Sequence, residues 1–521
     1  MSELQLVIKT ENETSESKLF FKSGESLLLL CQKAGIPVAA NCGGKGICGK
    51  CRVRFLKGAP LPTAQERRFF SPDELRQGYR LACLSRLYTD CEIEVPKLRR
   101  VDAVSKALDI KWKPIDGYDG KYFITTDIGT TTLVMQKVSA SDGQVIETYK
   151  AVNAQNRFGS DVISRLEASE HGHREELSHI IRDQLCRGVE KLGSDDILFM
   201  VIAANTTMVH LLMEYDVQGL SKAPFDAVCL DEIRTEISGI DTYIMPGYSA
   251  FVGGDIFSGI LAICSTRMMK VVTSDEILDK TACDGMATMP AISADDKTTT
   301  NNSPTLLIDL GTNAEMVLFD SDQMAATSAA AGSAFDSIAD VGLFGADVVA
   351  ILYRLLKEHR IDCHGTLQDE WFEQGVAIEY KKQVYITQDH IRRMQLAKAA
   401  VRCGIDYLSE AFGCALQDIG QVYVAGGFGY YLDVEAAFGV GLLPDAFRGK
   451  TFACGNTALS GARVYGYDKL VIKASGNGEI HDKLFSNGSD FPKKKIINLA
   501  MEPDFNERYI SYLDFSSDYE I

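Results

Sequence analysis

The sequence predicts a multidomain protein of α+β and α/β structure, in which a small domain precedes a larger α/β region. In the first hundred residues, short strand patterns surround one helix pattern and a glycine-rich stretch with several cysteines. From Tyr122 onward, apolar strand patterns alternate with helix patterns, which is typical of a sheet covered by helices. The 521 residues are 46% apolar and 24% charged, which is enough material for several buried cores. We therefore expect three or more domains.

The small domain has the element order of a β-grasp fold. Strand patterns cover residues 4–10, 17–22, 51–55 and 91–95. Between the second and third strands, residues 25–36 predict a helix that carries an apolar run of four leucines. Cys31 lies in this helix and Cys91 lies on the apolar side of the last strand, so we interpret both as core thiols. We place this domain at residues 1–96.

Four other cysteines form the most specific pattern in the chain. Cys42, Cys48, Cys51 and Cys83 have the spacing Cys-x5-Cys-x2-Cys-x31-Cys, and the first three lie on one glycine-rich stretch. Three thiolates on a tight loop can hold an iron–sulfur rhomb, glycines let backbone N–H groups approach its sulfurs, and a distant fourth thiolate closes the site. The pattern predicts a ferredoxin-type 2Fe-2S cluster on these four ligands, although the first gap is one residue longer than the plant-type x4.

Charge and cysteine usage limit the class of protein. The net charge is -17, yet residues 1–100 hold 17 Lys and Arg against 11 Asp and Glu. The acidic remainder would repel phosphate, so we expect no nucleic-acid partner. Near the cysteines, a basic group forms either a solvated face or a surface that attracts an acidic protein; it consists of Lys45, Lys50, Arg52 and Arg54.

The sequence also indicates where in the cell the protein is located. No apolar run reaches the roughly 18 residues of a membrane span, and the first residues lack the features of a signal peptide. We therefore expect no membrane association and a cytoplasmic location. Fourteen cysteines in such a chain favour reduced thiols in an anaerobic cell.

Two strand–turn–strand segments with similar sequences lie far apart in the larger region. Residues 123–134 and 306–317 each contain an apolar strand, an Asp-x-Gly-Thr turn and a second apolar strand. The glycine permits a tight turn, N–H and Thr hydroxyl groups can bind phosphate oxygens, and the Asp carboxylate can hold hydrated Mg2+. One copy alone is a weak signal, because any hairpin can use Gly and Asp in its turn. Two copies that face each other would clamp a triphosphate.

A third segment completes a nucleotide-binding pattern. Residues 421–425 predict a buried strand that ends in glycines, against which a planar adenine could pack. Together the three segments resemble the phosphate-1, phosphate-2 and adenosine motifs of the superfamily of acetate and sugar kinases, Hsp70 and actin. The resemblance implies a two-lobed ATPase fold that binds ATP and Mg2+.

The same resemblance implies roles for individual residues. Asp127 and Asp309 would be the catalytic carboxylates. The residues that would contact the nucleotide are Gly129, Thr130, Thr131, Gly311, Thr312, Asn313, Gly332, Ser333, Gly426 and Gly427. Of these, the last two would border adenosine, and Asn313 departs from the residue that this turn often carries.

Nearly the whole chain resembles the RACo-type reductive activators of corrinoid proteins, which join a 2Fe-2S ferredoxin domain to such an ATPase. Further segments carry this resemblance, namely residues 153–165, 204–210, 252–255, 330–335 and 395–400. It implies ATP-dependent reductive activation, in which one electron passes from the cluster to Co(II) of a corrinoid protein and restores Co(I). This reaction would be coupled to ATP hydrolysis and would serve corrinoid-dependent methyl transfer such as O-demethylation.

An external low-potential electron donor is also implied. No G-x-G-x-x-G fingerprint for a flavin or NAD follows an early strand, so the electrons would come from a separate ferredoxin, flavodoxin or reductase. The sequence leaves a homodimer open.

These assignments divide the rest of the chain. Residues 97–120 carry several basic residues and no sustained apolar period, so we predict a linker that lets the cluster domain move. Trp112 is expected to be a docking contact between domains. Residues 121–200 are predicted to be a middle domain or first lobe with the first hairpin. Residues 201–521 are predicted to be the C-terminal ATPase-like domain with the second hairpin and the adenosine motif.

Two other functions compete with this interpretation. An ATP-driven electron activator of a radical dehydratase or reductase shares the nucleotide fold but holds a 4Fe-4S cluster between two subunits, which the complete four-cysteine set disfavours. A redox-sensing, chaperone-like ATP-binding module would use the cluster only for regulation. Some segments also have structural explanations: His210 can pack a helix, and Asp255 can cap the helix after a Gly-Gly turn. Asn205 is a candidate contact to nucleotide or partner.

Overall fold

A computed structural model of the protein describes residues 4–10, 16–34, 36, 38, 42–96, 104–105, 108, 110, 112–272, 303–332, 343, 345–378, 385–475 and 493–515. The chain divides into two compact units. The first unit combines Met1–Asp102 with Val152–Ile181, and the second combines Ala103–Ala151 with Arg182–Ile521.

The first unit is built on a five-stranded mixed sheet. The strands of this unit are β1 (Leu4–Thr10), β2 (Glu16–Phe21), β3 (Glu25–Ser26), β4 (Arg52–Lys57), β5 (Tyr79–Leu81), β6 (Arg86–Leu87) and β7 (Cys91–Val95), of which β3 and β6 form a separate two-stranded sheet. Its helices are α1 (Leu27–Lys33), α2 (Pro72–Arg76) and, from the later segment, α3 (Val162–Ala168). The sheet order is β2-β1-β7-β4-β5, with β1 and β7 parallel and the other pairs antiparallel.

The pattern of burial explains these elements. Alternate residues of β7 are buried, as expected for a strand with one face on the core. On α1, Leu27, Leu28, Leu30 and Cys31 are buried in the same hydrophobic cluster as the strand residues. One helix packed on a mixed sheet of this order confirms the predicted β-grasp domain.

Two six-stranded sheets organise the second unit. The first sheet contains β8 (Tyr122–Ile128), β9 (Thr132–Ser139), β10 (Val145–Val152), β11 (Ile197–Ala204), β12 (Ile233–Ile237) and β13 (Ile240–Ile244), in the order β10-β9-β8-β11-β13-β12. The second sheet contains β14 (Thr305–Leu310), β15 (Ala314–Phe319), β16 (Gln323–Ala329), β19 (Gln421–Ala425), β20 (Thr451–Ala453) and β21 (Lys493–Ile497), in the order β20-β19-β14-β15-β16-β21. The short strands β17 (Val376–Ala377) and β18 (Tyr385–Ile386) pair with each other.

Helices cover these sheets. They are α4 (Arg174–Leu192), α5 (Thr206–Leu212), α6 (Gln218–Ser221), α7 (Gly254–Val272), α8 (Gly345–Lys357), α9 (Asp369–Phe372), α10 (Gln388–Phe412), α11 (Gly426–Tyr431), α12 (Val434–Gly439), α13 (Thr457–Ser475) and α14 (Phe505–Ser511). Of these, α7 and α13 are packed in close contact, since a Cβ on Gly461 would lie 1.8 Å from the Ser258 carbonyl oxygen.

The two sheets repeat one arrangement. In each, the first strand of a hairpin, β8 or β14, pairs antiparallel with the second strand, β9 or β15. On its other side the first strand pairs in parallel with β11 or β19, which in turn pairs in parallel with β13 or β20. The hydrophobic cluster that contains Phe123 of β8 also contains Leu307 of β14, so the two lobes share a core. This duplication confirms the predicted two-lobed ATPase fold.

The stretch that we predict as a linker is packed where it is described. Leu108 and Ile110 are buried in the core shared by the two lobes, and the Leu108 N–H donates to Ser460 Oγ at 2.9 Å. The Trp112 ring lies 4.2 Å from the Tyr467 ring, which is in α13. Trp112 therefore packs inside the second unit, where it contacts α13 and Gly143 of the β9–β10 turn and so touches both predicted domains, residues 121–200 and 201–521. The lysines and the aspartate between these apolar residues hide the apolar pattern in the sequence.

The predicted boundary at residue 200 also differs from the structure. Residue 200 lies inside β11, whose neighbours in the sheet are β8 and β13. The first lobe therefore continues at least through β13, because a parallel strand between two others cannot be separated from them. Among the described residues, no helix is long and apolar enough to cross a membrane.

Candidate functional site

The first candidate site is the cysteine loop, residues 42–51, which leads into β4. Its four glycines all have positive φ angles, between 60° and 86°. This conformation is strained for residues with a Cβ, so the glycines allow the loop to turn tightly enough to bring three cysteines together.

The four predicted ligand thiols form two pairs. Cys51 Sγ lies 3.2 Å from Cys83 Sγ, and Cys42 is hydrogen-bonded to Cys48. The bond to Cys48 lowers the pKa of Cys42 to about 4, and the bond to Cys83 lowers the pKa of Cys51. The same bonds raise the pKa of Cys48 and of Cys83. Four thiols in two pairs fit a cluster of two irons that takes four cysteine ligands.

The two remaining cysteines of this domain lie in its core, as predicted. Cys31 is fully buried and Cys91 is 4% exposed. Burial raises the pKa of Cys31 to about 12 and also raises the pKa of Cys91. Both thiols therefore stay protonated, which suits a packing role.

The basic residues near the cysteines have partners within the first unit. Arg52 donates to the Phe69 carbonyl oxygen at 2.9 Å, and Arg54 lies 3.9 Å from a carboxylate oxygen of Glu94. Lys45 forms an ion pair with Glu167. These contacts favour a structural role for the basic residues over a surface that attracts an acidic protein.

The second candidate site is formed by the two Asp-x-Gly-Thr turns of the second unit. Their tips meet, because Thr131 Oγ1 lies 3.0 Å from Thr312 Oγ1. In the first turn the Gly129 N–H donates to the Thr132 carbonyl oxygen at 2.9 Å, and in the second the Gly311 N–H donates to the Asn313 carbonyl oxygen at 2.9 Å. The structure thus brings together two turns that the sequence separates by about 180 residues.

Asn205 is connected to the first turn. Its Oδ1 accepts from the Met208 N–H at 2.9 Å and caps α5, while its Nδ2 donates to Thr130 Oγ1 at 3.4 Å. His210, one turn further along α5, is fully buried and accepts from the Val228 N–H at 3.0 Å. The packing role that we predict for His210 agrees with this contact.

Four carboxyl groups lie close together beside the turns. Asp309 is opposite Glu315 across the β14–β15 pair, and Asp255 is hydrogen-bonded to Glu315. Burial, together with repulsion from Asp255, raises the pKa of Asp127 to about 7 and that of Asp309 to about 8. The pKa of Asp255 and that of Glu315 are also raised, chiefly by burial. A cation between such groups would relieve their repulsion.

Three members of this site are missing from our sequence prediction. Asp255 does begin a helix, since its Oδ1 accepts from the Ile256 N–H at 2.9 Å, but it also belongs to the carboxyl group just described. Glu315 could have been found from strand register, because it is the residue opposite Asp309. Asn456 donates from Nδ2 to Asp127 Oδ2 at 2.7 Å. No motif in the sequence around Asn456 indicates this role.

The glycines of the adenosine motif differ in their surroundings. Gly426 has a φ of +84°, and a Cβ there would lie 2.5 Å from Asp309 Oδ1. Gly427 has no heavy atom within 4 Å of the position of a Cβ. Gly332 follows β16 with similar open space, and Ser333 lies outside the described residues. Gly426 therefore contacts β14, the first strand of the second hairpin, whereas Gly427 leaves room for a ligand.

Neither site has the form of a single-ion metal centre. Within the part of the chain that the structure describes, no three His, Cys, Asp or Glu side chains are arranged to hold one metal ion. Two thiol pairs suit a two-iron cluster. The carboxyl groups suit a cation such as Mg2+, which keeps several of its waters when proteins bind it.

Three family models match the chain in sequence order. The 2Fe-2S iron-sulfur cluster binding domain matches residues 12–88, the RACo middle region matches residues 122–268, and the C-terminal domain of RACo, the ASKHA domain, matches residues 303–339 and 335–519. Together the two RACo models cover most of the chain after the ferredoxin domain.

Individual proteins match either nearly the whole chain or only a short part of it. The corrinoid activation enzyme RamQ of Eubacterium limosum is 26% identical over 586 residues, which cover 94% of this chain and 96% of RamQ. A component of the Na(+)-translocating NADH-quinone reductase of Chlamydia felis (strain Fe/C-56) is 39% identical over 88 residues, which cover 17% of this chain and 20% of that protein.

A solved structure described as a reductive activator for corrinoid,iron-sulfur protein has the same fold. It superposes with a TM-score of 0.58 at 22% identity and covers 98% of each chain. With a ferredoxin domain, a RACo middle region and a RACo C-terminal domain in this order, the chain belongs to the RACo family.

Proposed function

We propose that this protein is an ATP-dependent reductive activator of a corrinoid protein. Its substrate is the inactive Co(II) form of that protein, which it returns to Co(I) by one-electron transfer coupled to ATP hydrolysis. The observation that carries the proposal is the presence, in one chain, of two thiol pairs and of two Asp-x-Gly-Thr turns whose tips meet. RamQ, which is similar over nearly its whole length, is named a corrinoid activation enzyme.

The redox part of the function belongs to the cysteine loop. Cys42, Cys48, Cys51 and Cys83 hold the 2Fe-2S cluster, which when bound supplies the single electron. The glycines of the loop keep three of the four thiols within one compact turn, and Cys83 approaches from outside it. The electron comes from an external low-potential ferredoxin, flavodoxin or reductase.

The nucleotide part belongs to the two turns. The hydroxyls of Thr130, Thr131 and Thr312 and the backbone N–H groups of the turns bind the phosphate oxygens of ATP. Asp127 and Asp309 are the catalytic carboxylates, and they hold hydrated Mg2+ with help from Asp255 and Glu315. Bound Mg2+ neutralises phosphate charge.

A nucleotide is needed because the electron transfer is uphill. Plant-type 2Fe-2S centres have potentials near about -400 mV. Each further 100 mV of uphill one-electron transfer costs roughly 2.3 kcal/mol. ATP supplies this free energy by changing how the activator holds the Co(II) protein. The ligation of the cobalt then shifts, and the reduction potential of the cobalt rises. ATP can do so only by binding two states of the complex with different affinities.

The test is visible absorbance of a corrinoid protein in the Co(II) form, mixed anaerobically with the chemically reduced activator. We expect Co(I) to form with Mg-ATP and to form far more slowly without it. Equal formation in both samples would contradict the coupling to ATP. No Co(I) in either sample, with intact iron and bound ATP, would favour the redox-sensing alternative.

A further inference from the structure

A segment of the RACo middle region belongs to the first unit together with the ferredoxin domain. We call residues 153–167 the docking segment. It contains a 3-10 helix, Ala154–Phe158, and most of α3. Nothing in the ferredoxin fold requires this segment, because the β-grasp sheet is complete within residues 4–95.

The docking segment makes a close backbone contact with the cysteine loop. A Cβ on Gly43 would lie 2.7 Å from the Phe158 carbonyl oxygen and 3.7 Å from the Gly159 nitrogen. The first distance is shorter than any normal contact of a Cβ, so only glycine allows the two backbones to approach in this way. Gly43 directly follows the cluster ligand Cys42.

A second contact joins the same two segments through side chains. Lys45 Nζ pairs with Glu167 Oε2, and this bond lowers the pKa of Glu167. The pair is exposed, so it contributes little to stability by itself. It does fix which residues of the docking segment and the cysteine loop lie together.

The buried Arg165 gives the docking segment its shape. Its Nε donates to the Gly159 carbonyl oxygen at 3.0 Å, and its other nitrogens donate to side-chain oxygens of Gln155 and Asn156. Burial of this guanidinium is costly unless it is hydrogen-bonded, so these bonds hold residues 155–159 firmly. That loop is the one whose Phe158 carbonyl meets Gly43.

We infer that the docking segment is a surface on which the chain holds its own cysteine loop, with Gly43 as the contact that permits the approach and Arg165 as a positioning residue that acts through Phe158. The docking segment thereby holds the loop at Gly43, the residue directly after Cys42. Ile47, in the same loop, is 66% exposed and remains available to an electron-transfer partner. The redox meaning of this arrangement rests on the proposed function, whereas the contact itself does not.

The first test compares two glycine substitutions in the full-length protein with its cluster. G43A places a methyl group against Phe158, whereas G44A carries the same positive-φ strain but places its Cβ 3.3 Å from Leu28 and away from the docking segment. We expect G43A to raise amide hydrogen exchange in residues 153–167 by about tenfold, which corresponds to about 1.4 kcal/mol. G44A should leave that exchange unchanged.

The second test uses charge reversal and begins with a residue outside the cysteine loop. E167K should raise hydrogen exchange in residues 42–49 several-fold, and K45E combined with E167K should restore it. The matched control is E175K, which makes the same change at an exposed residue of α4 within the first unit. If the G43A protein does not bind iron, the charge-reversal variants alone test the inference.

The inference is overturned if E167K and E175K give the same exchange in residues 42–49. It is also overturned if G43A, with its iron bound, does not differ from G44A in residues 153–167. Neither measurement involves ATP or a corrinoid protein, so failure of the docking contact and failure of the proposed function are distinguishable. In the G43A and E167K variants that retain the cluster, its midpoint potential and visible circular dichroism then show whether docking affects the redox centre.

Discussion

The two adjacent glycines at the start of α11, Gly426 and Gly427, are expected to have different roles, one in protein stability and the other in ligand binding. A Cβ at Gly426 would lie 2.5 Å from Asp309 Oδ1 and 2.6 Å from the Leu310 carbonyl oxygen, and the residue has positive φ. Gly427 faces open space at the predicted adenosine site. One glycine is therefore required by the protein itself, and the other by the proposed ligand.

This difference gives a paired prediction. G426A should destabilise the nucleotide-free protein by about 1–2 kcal/mol or more, because it adds left-handed strain and a steric clash. G427A should leave that stability unchanged or slightly higher, since alanine favours a helix by up to about 1 kcal/mol. G427A should nevertheless weaken ATP binding. Thermal unfolding and calorimetric titration check the two effects, and normal ATP affinity of G427A would argue against adenosine at this glycine.

The carboxyl group of Asp309 is predicted to favour function at the expense of stability. D309N should lower ATP hydrolysis by roughly 10²-fold or more, the usual contribution of such catalytic groups. It should also raise the melting temperature of the nucleotide-free protein, because it removes one of four mutually repelling acids. The matched control is D322N, an exposed aspartate in the β15–β16 turn of the same sheet. Unchanged hydrolysis in D309N would remove Asp309 from the catalytic site.

Cysteine substitutions test the assignment of the cluster ligands. C83A should abolish the visible absorption of the purified protein, because the distant thiol that closes the site is lost. C91A should retain it, since Cys91 is buried in the β-grasp core. Iron analysis under anaerobic conditions provides the measurement. Full iron content in C83A would mean that another residue completes the cluster.

Sequence reasoning located most of these residues but not all of them. Asp127 and Asp309 could be predicted because each lies in a recognisable turn. Asp255 and Asn456 could not, because their roles depend on which helix ends the fold brings beside the first turn. Glu315 is an intermediate case, since β-strand register alone places it opposite Asp309.

The long helix α10 fastens the last described residues of the chain. Gln395 Nε2 donates to the Leu513 carbonyl oxygen at 2.9 Å, and Lys398 Nζ donates to the Asp514 carbonyl oxygen. Lys398 is only 2% exposed, and burial lowers its pKa to about 7. Repulsion from Arg402 contributes to this lowered pKa, whereas Asp514, which also pairs with His364, opposes the shift. The Gln-Leu-Ala-Lys segment thus has a structural role.

The shifted pKa of Lys398 predicts a pH dependence of stability. Its ordinary pKa is 10.5, so between about pH 7 and pH 10 the unfolded chain holds a proton that the folded chain has released. The Lys398 contribution to the free energy of unfolding should therefore rise with pH in this window, so the wild type should gain stability relative to K398M as the pH increases. Thermal unfolding of both proteins at several pH values measures the difference. K495M, on the exposed β21, is the control and should follow the wild type.

Strands and helices were easier to predict than the connections between them. The β-grasp strands and both hairpins follow from alternation of apolar residues and from turn chemistry. The packing of Leu108, Ile110 and Trp112 was not predicted, because charged residues lie between them in the sequence and hide the apolar pattern. The boundary at residue 200 failed for a related reason: a buried strand such as β11 gives no sign of which sheet it joins.

The chain as a whole combines two chemistries that are rarely found together. Unit one carries the thiol pairs and the docking segment, and unit two carries a duplicated fold with its two Asp-x-Gly-Thr turns. The duplication explains why two similar turns, distant in sequence, meet at their tips. On the proposed function, coupling between the units requires that ATP binds two states of the activator complex unequally.

The central claim is that the nucleotide site of this chain drives electron transfer from its own cluster. The most direct test is single-turnover formation of Co(I), followed by absorbance, with reduced wild type and reduced D309N in the presence of Mg-ATP and a Co(II) corrinoid protein. Both proteins should show the same iron content and cluster spectrum. We predict rapid Co(I) formation with wild type and almost none with D309N. Formation of Co(I) by D309N at the wild-type rate would contradict the account.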